Sequence, residues 1–131
     1  MKNKISEILN ESVTDKAFAL GNDLVFIPNF KSSFTELFKN KVYTPNEMAY
    51  CDSFNNAVLR FASTWAAKEA VYKALKQFDP SPISWKNLEI IRKKTAGRPN
   101  VILHQNPDKF KISLTISHDG DYVWAIAIVE K

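Results

Sequence analysis

The stretch from Asn55 to Gln77 most constrains this chain. It carries Ala62, Ala66, Ala67, Ala70 and Ala74, all strong helix formers, and Pro80 and Pro82 end it. The predicted helix is apolar nearly all round, so it belongs at the centre of a fold. The chain then changes period. Lys111 to His118 alternates, with Ile112, Leu114 and Ile116 on one face and Ser113, Thr115 and Ser117 on the other. Asp119-Gly120 is a tight-hairpin signal, and Tyr122 to Val129 returns as a nearly continuous apolar strand. A buried helix beside an antiparallel hairpin predicts an α+β fold, with the long central helix packed on an antiparallel sheet.

The remaining segments fit that plan. Helical spacing is expected over 3–14, from Ile5, Ile8, Leu9 and Val13, and over 29–40, from Phe30, Phe34, Leu37 and Phe38 with Ser32 or Ser33 as cap. Leu20 to Ile27 reads as a strand stopped by Pro28. Thr44-Pro45-Asn46-Glu47 reads as a helix start. Trp85 to Arg92 and Val101 to His104 read as strands around a turn over 93–99. The chain has 131 residues, 45% of them hydrophobic, which is one domain with enough apolar material for a real core. One cysteine, Cys51, excludes an intrachain disulfide framework and the cysteine-rich zinc classes. No apolar run approaches the ~20 residues of a membrane helix, and Met1 to Ile5 begins no signal-peptide core, so a cytoplasmic protein with no membrane partner is expected.

The net charge of +4 is unevenly spread. Lys68 to Lys111 holds ten basic and four acidic residues, a local +6. Such a field suits an anionic partner, whether nucleic acid, phosphorylated cofactor or acidic protein, and also suits a plain solubilising surface.

Four places stand out chemically. Asp23 shares a strand face with Gly21, Val25 and Ile27, where a carboxylate needs a metal, a hydrogen-bond cluster or a place at the strand margin. Glu69 projects between Trp65, Tyr72 and Val58, with Lys73 one turn on. That is a surface pair if exposed, and a costly pair with a purpose if buried. The ridge Ala62, Ala66, Ala70 and Ala74 lets a ligand or a strand come close. His118 ends the alternating strand on its apolar face, as a hydrogen-bonded structural residue or a functional one, while His104 reads as structural. Lys93, Lys94 and Arg98 surround Gly97, a phosphate cradle or a solvated turn.

Together these residues resemble a known family. Gly21-Asn22-Asp23-Leu24-Val25 resembles the opening motif of 4'-phosphopantetheinyl transferases. Trp65-Ala66-Ala67-Lys68-Glu69-Ala70-Val71-Tyr72-Lys73-Ala74 looks like their helix signature, and Gly97-Arg98-Pro99 resembles their glycine–basic–proline turn. Ile116-Ser117-His118-Asp119 is similar to their terminal motif. Order and spacing resemble the short holo-acyl-carrier-protein synthases over roughly residues 20 to 130, leaving 1–19 as an extension expected to be helical, ahead of a transferase domain over 20–131.

The resemblance implies transfer of 4'-phosphopantetheine from coenzyme A to a serine of an apo-acyl carrier protein, releasing 3',5'-ADP, in fatty acid biosynthesis. It implies Asp23 and Glu69 as ligands of Mg²⁺, a hard ion suited to carboxylate, phosphate and water oxygens. Lys73 and His118 join them as catalytic residues that also meet the phosphates of coenzyme A, and Gly97, Arg98, Pro99 and Ser117 line the same substrate. Asp119 assists the metal shell or a bound water, and Glu69 or a metal-ordered water takes the serine proton. A homotrimer with active sites between subunits is implied as well.

Two departures from the family pattern stand out. The family usually has arginine where this chain has Asn29, leaving Lys31, Lys39 and Lys41 as the expected grip on an acidic carrier. It often has arginine where this chain has Thr64, and Arg60, one turn earlier, is the expected substitute toward coenzyme A. Two other classes compete. A metal-dependent nuclease would place Glu-x-Lys on a strand, whereas Lys68-Glu69 lies on a helix. A nucleic-acid-binding module would expose aromatics among its basic residues, whereas Trp65, Tyr72 and Trp124 fall in core-like patterns.

Overall fold

The computed structural model describes residues 16–95 and 97–131. The helix expected over 3–14, and with it most of the expected extension, lies outside them. Strand β1 (Phe18–Phe26) runs straight into helix α1 (Ile27–Ser33), followed by α2 (Glu36–Val42), α3 (Pro45–Asp52) and the long α4 (Ala57–Leu75). A short 3-10 turn (Trp85–Asn87) leads into β2 (Leu88–Ile91), and β3 (Asn100–Leu103), β4 (Lys111–Asp119) and β5 (Tyr122–Glu130) complete the chain. The α+β expectation holds.

β1, β5 and β4 form one antiparallel sheet in that order, and β2 pairs with β3 in a second. Helix α4 lies across the first sheet, touching all three of its strands. The alanine ridge explains how close it comes. Ala62, Ala66, Ala70 and Ala74 are fully buried, and they meet a sheet face also built from small residues: Ala19, Gly21, Ala125 and Ala127. A Cβ placed on Gly21 would fall 1.9 Å from the Ala70 carbonyl oxygen, so only glycine permits this packing. The ridge therefore serves helix–sheet contact.

Several boundaries move for identifiable reasons. Pro28 opens α1 in its first turn instead of merely ending a strand. The single helix expected over 29–40 is two helices, because the Thr35 hydroxyl accepts from Phe38 N and starts α2 there. Ser32 caps nothing and turns back to the Asn29 carbonyl instead. Thr44 and Glu47 form the reciprocal cap of α3, as their spacing suggests. Residues 85–87 wind before the strand begins at Leu88. Trp124 is not core. It is 47% exposed, on the sheet face away from α4.

Candidate active site

The N-terminal half of the site is built where β1 crosses α4. Asp23 lies on the helix-facing side of β1, as the alternation requires. Its Oδ1 is 2.9 Å from Lys73 Nζ, which also donates to the Asn22 carbonyl at 3.1 Å. Glu69 lies one turn before Lys73 on α4, so the acid–lysine pair expected within the helix is instead a pair between helix and strand. Asp23 and Glu69 line one open cleft of about 430 Å³ with Asn29, Phe30, Phe38 and Trp65.

The two carboxylates sense each other. The Glu69 pKa is pushed up to about 7, by burial first and by the nearby Asp23 charge second, while Lys73 and the Trp65 side chain oppose the shift. A cation between them would relieve that repulsion. Among the described residues, no group of three or more His, Cys, Asp or Glu side chains forms a closed metal cage. Two hard oxygen donors on an open cleft fit an ion that takes its remaining ligands from phosphate and water, which is the habit of Mg²⁺.

The second half lies at the far end of β4. His118, Arg60 and Pro99 line a cavity of about 160 Å³ with Tyr50, Ser63 and Arg92. Arg92 is the residue that the sequence reading missed. Its guanidinium donates to Ser63 Oγ at 3.1 Å, to the Arg60 carbonyl at 3.2 Å and to Thr64 Oγ1. It also stacks over Tyr50 at 4.4 Å, and Arg60 stacks over Phe54 at 4.2 Å. Burial lowers the Arg92 pKa and the Arg60 charge acts in the same direction, so two cations crowd one cavity wall, and the oxygens that Arg92 bonds are neutral. Arg60 Nε is buried with no partner of its own. The only hint in the sequence was that Arg92 ends an apolar strand.

Ser117, His118 and Asp119 border another shallow cleft with Leu24, Tyr122 and Trp124, and Leu24 also borders the Asp23–Glu69 cleft. The register puts Asp23 opposite Ala125 and Ala125 opposite Ile116, with His118 two residues further along β4. The two backbones are therefore about 10 Å apart across the sheet and about 7 Å along it. Gly97 takes a φ of +109°, beside an exposed Arg98. Lys94 reaches away to the Ser53 carbonyl at 2.7 Å. So Asp23, Glu69 and Lys73 come together, Arg60, Pro99 and His118 come together, and a ligand touching both groups must be long.

His104 is structural as expected, with Nε2 3.1 Å from the buried Glu89 carboxylate. The costly buried pair also exists, one residue away from where it was sought: Lys68 and Glu47, both fully buried, 2.7 Å apart. Lys39, one of the lysines expected to grip a carrier, instead lies over the Phe34 and Phe61 rings at 5.6 and 5.1 Å. Lys31 and Lys41 are exposed.

A holo-(acyl-carrier-protein) synthase of Koribacter versatilis is 35% identical over 120 residues, 84% of this chain and 95% of that protein. One from Chlorobaculum tepidum is 36% identical over 114 residues, covering 85% and 97%. The solved Chronobacterium ammoniagenes ACPS–CoA complex superposes with a TM-score of 0.75 at 27% identity, covering 88% of this chain and 98% of that one. A model of the 4'-phosphopantetheinyl transferase superfamily matches residues 19–127, and the chain belongs to that superfamily.

Proposed function

We propose that this protein is a holo-acyl-carrier-protein synthase, moving 4'-phosphopantetheine from coenzyme A to a serine hydroxyl of an apo-acyl carrier protein. The observation that carries this reading is the pair Asp23 and Glu69 on one cleft, with a cationic cavity about a coenzyme's reach away. The relatives are named for this activity over nearly their whole length. The nuclease and nucleic-acid readings have no comparable support.

In this reading the serine Oγ–P bond forms as the pyrophosphate P–O bond breaks, and 3',5'-ADP leaves. Asp23 and Glu69 would hold Mg²⁺, which when bound neutralises the pyrophosphate and polarises the phosphoryl group. Lys73, half-exposed beside Asp23, keeps an ammonium proton for the phosphates and opposes charge on the leaving group. Arg60, Arg92 and His118 offer paired cations to another phosphate of the coenzyme, with Gly97, Arg98, Pro99 and Ser117 around it. The serine proton would pass to Glu69 or to a water ordered beside it.

A homotrimer with shared active sites accompanies this reading. The sheet face away from α4 carries Leu20, Leu24, Trp124 and Ile128, all well exposed, which is more apolar surface than one domain ordinarily leaves to water. No helix among the described residues is long and apolar enough to cross a membrane, and a cytoplasmic place in fatty acid biosynthesis fits an enzyme whose substrates are coenzyme A and an acidic carrier. The test is direct. Mixing the protein with coenzyme A, Mg²⁺ and an apo-carrier should add the mass of phosphopantetheine to the carrier, and an unmodified carrier would overturn the reading.

A further inference from the structure

Lys68 directly precedes Glu69 on α4, and its side chain is buried where that of Glu69 is half-exposed. Nζ lies 2.7 Å from Glu47 Oε1 and donates to the Val42 carbonyl at 2.7 Å and the Trp85 carbonyl at 2.8 Å. All three ammonium protons are committed. The Glu47 carboxylate is used as fully, with Oε1 accepting from Thr44 N at 2.9 Å and Oε2 from Ile90 N at 2.8 Å. A buried ion pair adds little stability over an apolar pair of the same shape. What this one supplies is direction, because the pair and its partners tie together five elements: α2, α3, α4, the 3-10 turn and β2.

One of those partners leads back to the cleft. The Trp85 ring sits 4.8 Å from the Trp65 ring and 4.8 Å from the Tyr72 ring. Those two residues flank Glu69 on the same helix face, and Trp65 lines the same cleft as Glu69. Trp85 therefore braces the aromatic rings on either side of Glu69, and Lys68 anchors the Trp85 backbone.

We propose that the buried Lys68–Glu47 pair is a positioning device for the Glu69 carboxylate, acting through Trp85 and Trp65. This rests on the reading that Glu69 faces a divalent cation. Lys68 and Glu47 touch no substrate and set only the orientation of a group that does.

Two variants test it. Glu47→Gln with Lys68→Met removes both buried charges, so no unpaired ion is left to unfold the chain. Trp85→Leu leaves the ion pair intact and removes the brace. Both should melt cooperatively and keep the KM for coenzyme A within about twofold. Both should lose about tenfold in kcat, the lower end of what removing a group that orients a metal ligand costs. Mn²⁺ binding, read by electron paramagnetic resonance of the free ion without any carrier, should weaken by about tenfold as well. Either variant, folded and matching the parent in kcat and Mn²⁺ affinity, overturns the proposal. If the double variant does not fold, Trp85→Leu decides alone. A parent that binds Mn²⁺ but transfers nothing would sink the assigned activity, while the Mn²⁺ comparison would still judge the brace.

Discussion

Lys73 Nζ is bound to Asp23 Oδ1 at 2.9 Å, across the junction of β1 and α4. The acid one helical turn before it, Glu69, keeps its carboxylate for the cleft. Asp23→Asn should thus leave the fold intact while lowering transfer by more than about tenfold at limiting Mg²⁺. A parent-like rate for that variant, measured by carrier mass at low Mg²⁺, would remove Asp23 from the metal site.

Glu69 gives a stability signature without any substrate. Its folded pKa, about 7, is above the ordinary value of 4.5. The folded state then holds the proton more tightly than the unfolded chain. This favours folding below about pH 4.5, and the benefit is lost as pH rises to about 7. In metal-free buffer the parent should lose melting temperature more steeply than Glu69→Gln between about pH 4.5 and 7. Parallel melting curves for the two proteins would contradict the shift.

Gly21→Ala is the sharpest test of the packing. The added methyl would meet the Ala70 carbonyl oxygen at 1.9 Å and Ala74 N at 2.8 Å, both backbone atoms that move only with the helix. A loss of about 3 kcal/mol is expected, at the upper end for overpacking. Thermal denaturation followed by circular dichroism should drop by about 10 °C. An unchanged midpoint would mean that β1 and α4 are further apart than described.

Carrier docking is expected to fall to Lys31 and Lys41, both exposed, rather than to Lys39. Replacing Lys31 and Lys41 by glutamate should raise the KM for an acidic carrier severalfold and blunt its salt dependence, with the KM for coenzyme A nearly unchanged. Lys39→Ala should instead lower stability by about 1 kcal/mol, because its chain covers two rings. Equal losses for both substrates in the double glutamate variant would defeat this division of labour.

The exposed sheet face predicts assembly. Leu20 and Ile128 sit directly opposite each other on β1 and β5. Changing both to glutamate should shift the sedimentation mass from three chains to one and reduce transfer. A parent that sediments as a single chain with full activity at the same dilution would rule out the trimer.

The sequence alone determined the long helix and the closing hairpin and singled out Asp23, Glu69, Lys73 and His118 as candidates, because those signals are local. Alanine content, alternation, a tight turn and a contiguous motif are each set by neighbours in the chain. Only the tertiary structure decided which charges pair. Lys73 chose Asp23 over Glu69, and Lys68 found Glu47, 21 positions away in the chain, because the β1–α4 crossing and the α3–α4 packing brought those groups within bonding distance. Arg92 entered the cationic cavity for the same reason: its strand ends beside Ser63 and Thr64. Trp124 reads as core from its neighbours, yet it faces outward, since a strand's pattern fixes which residues share a face and not what covers that face.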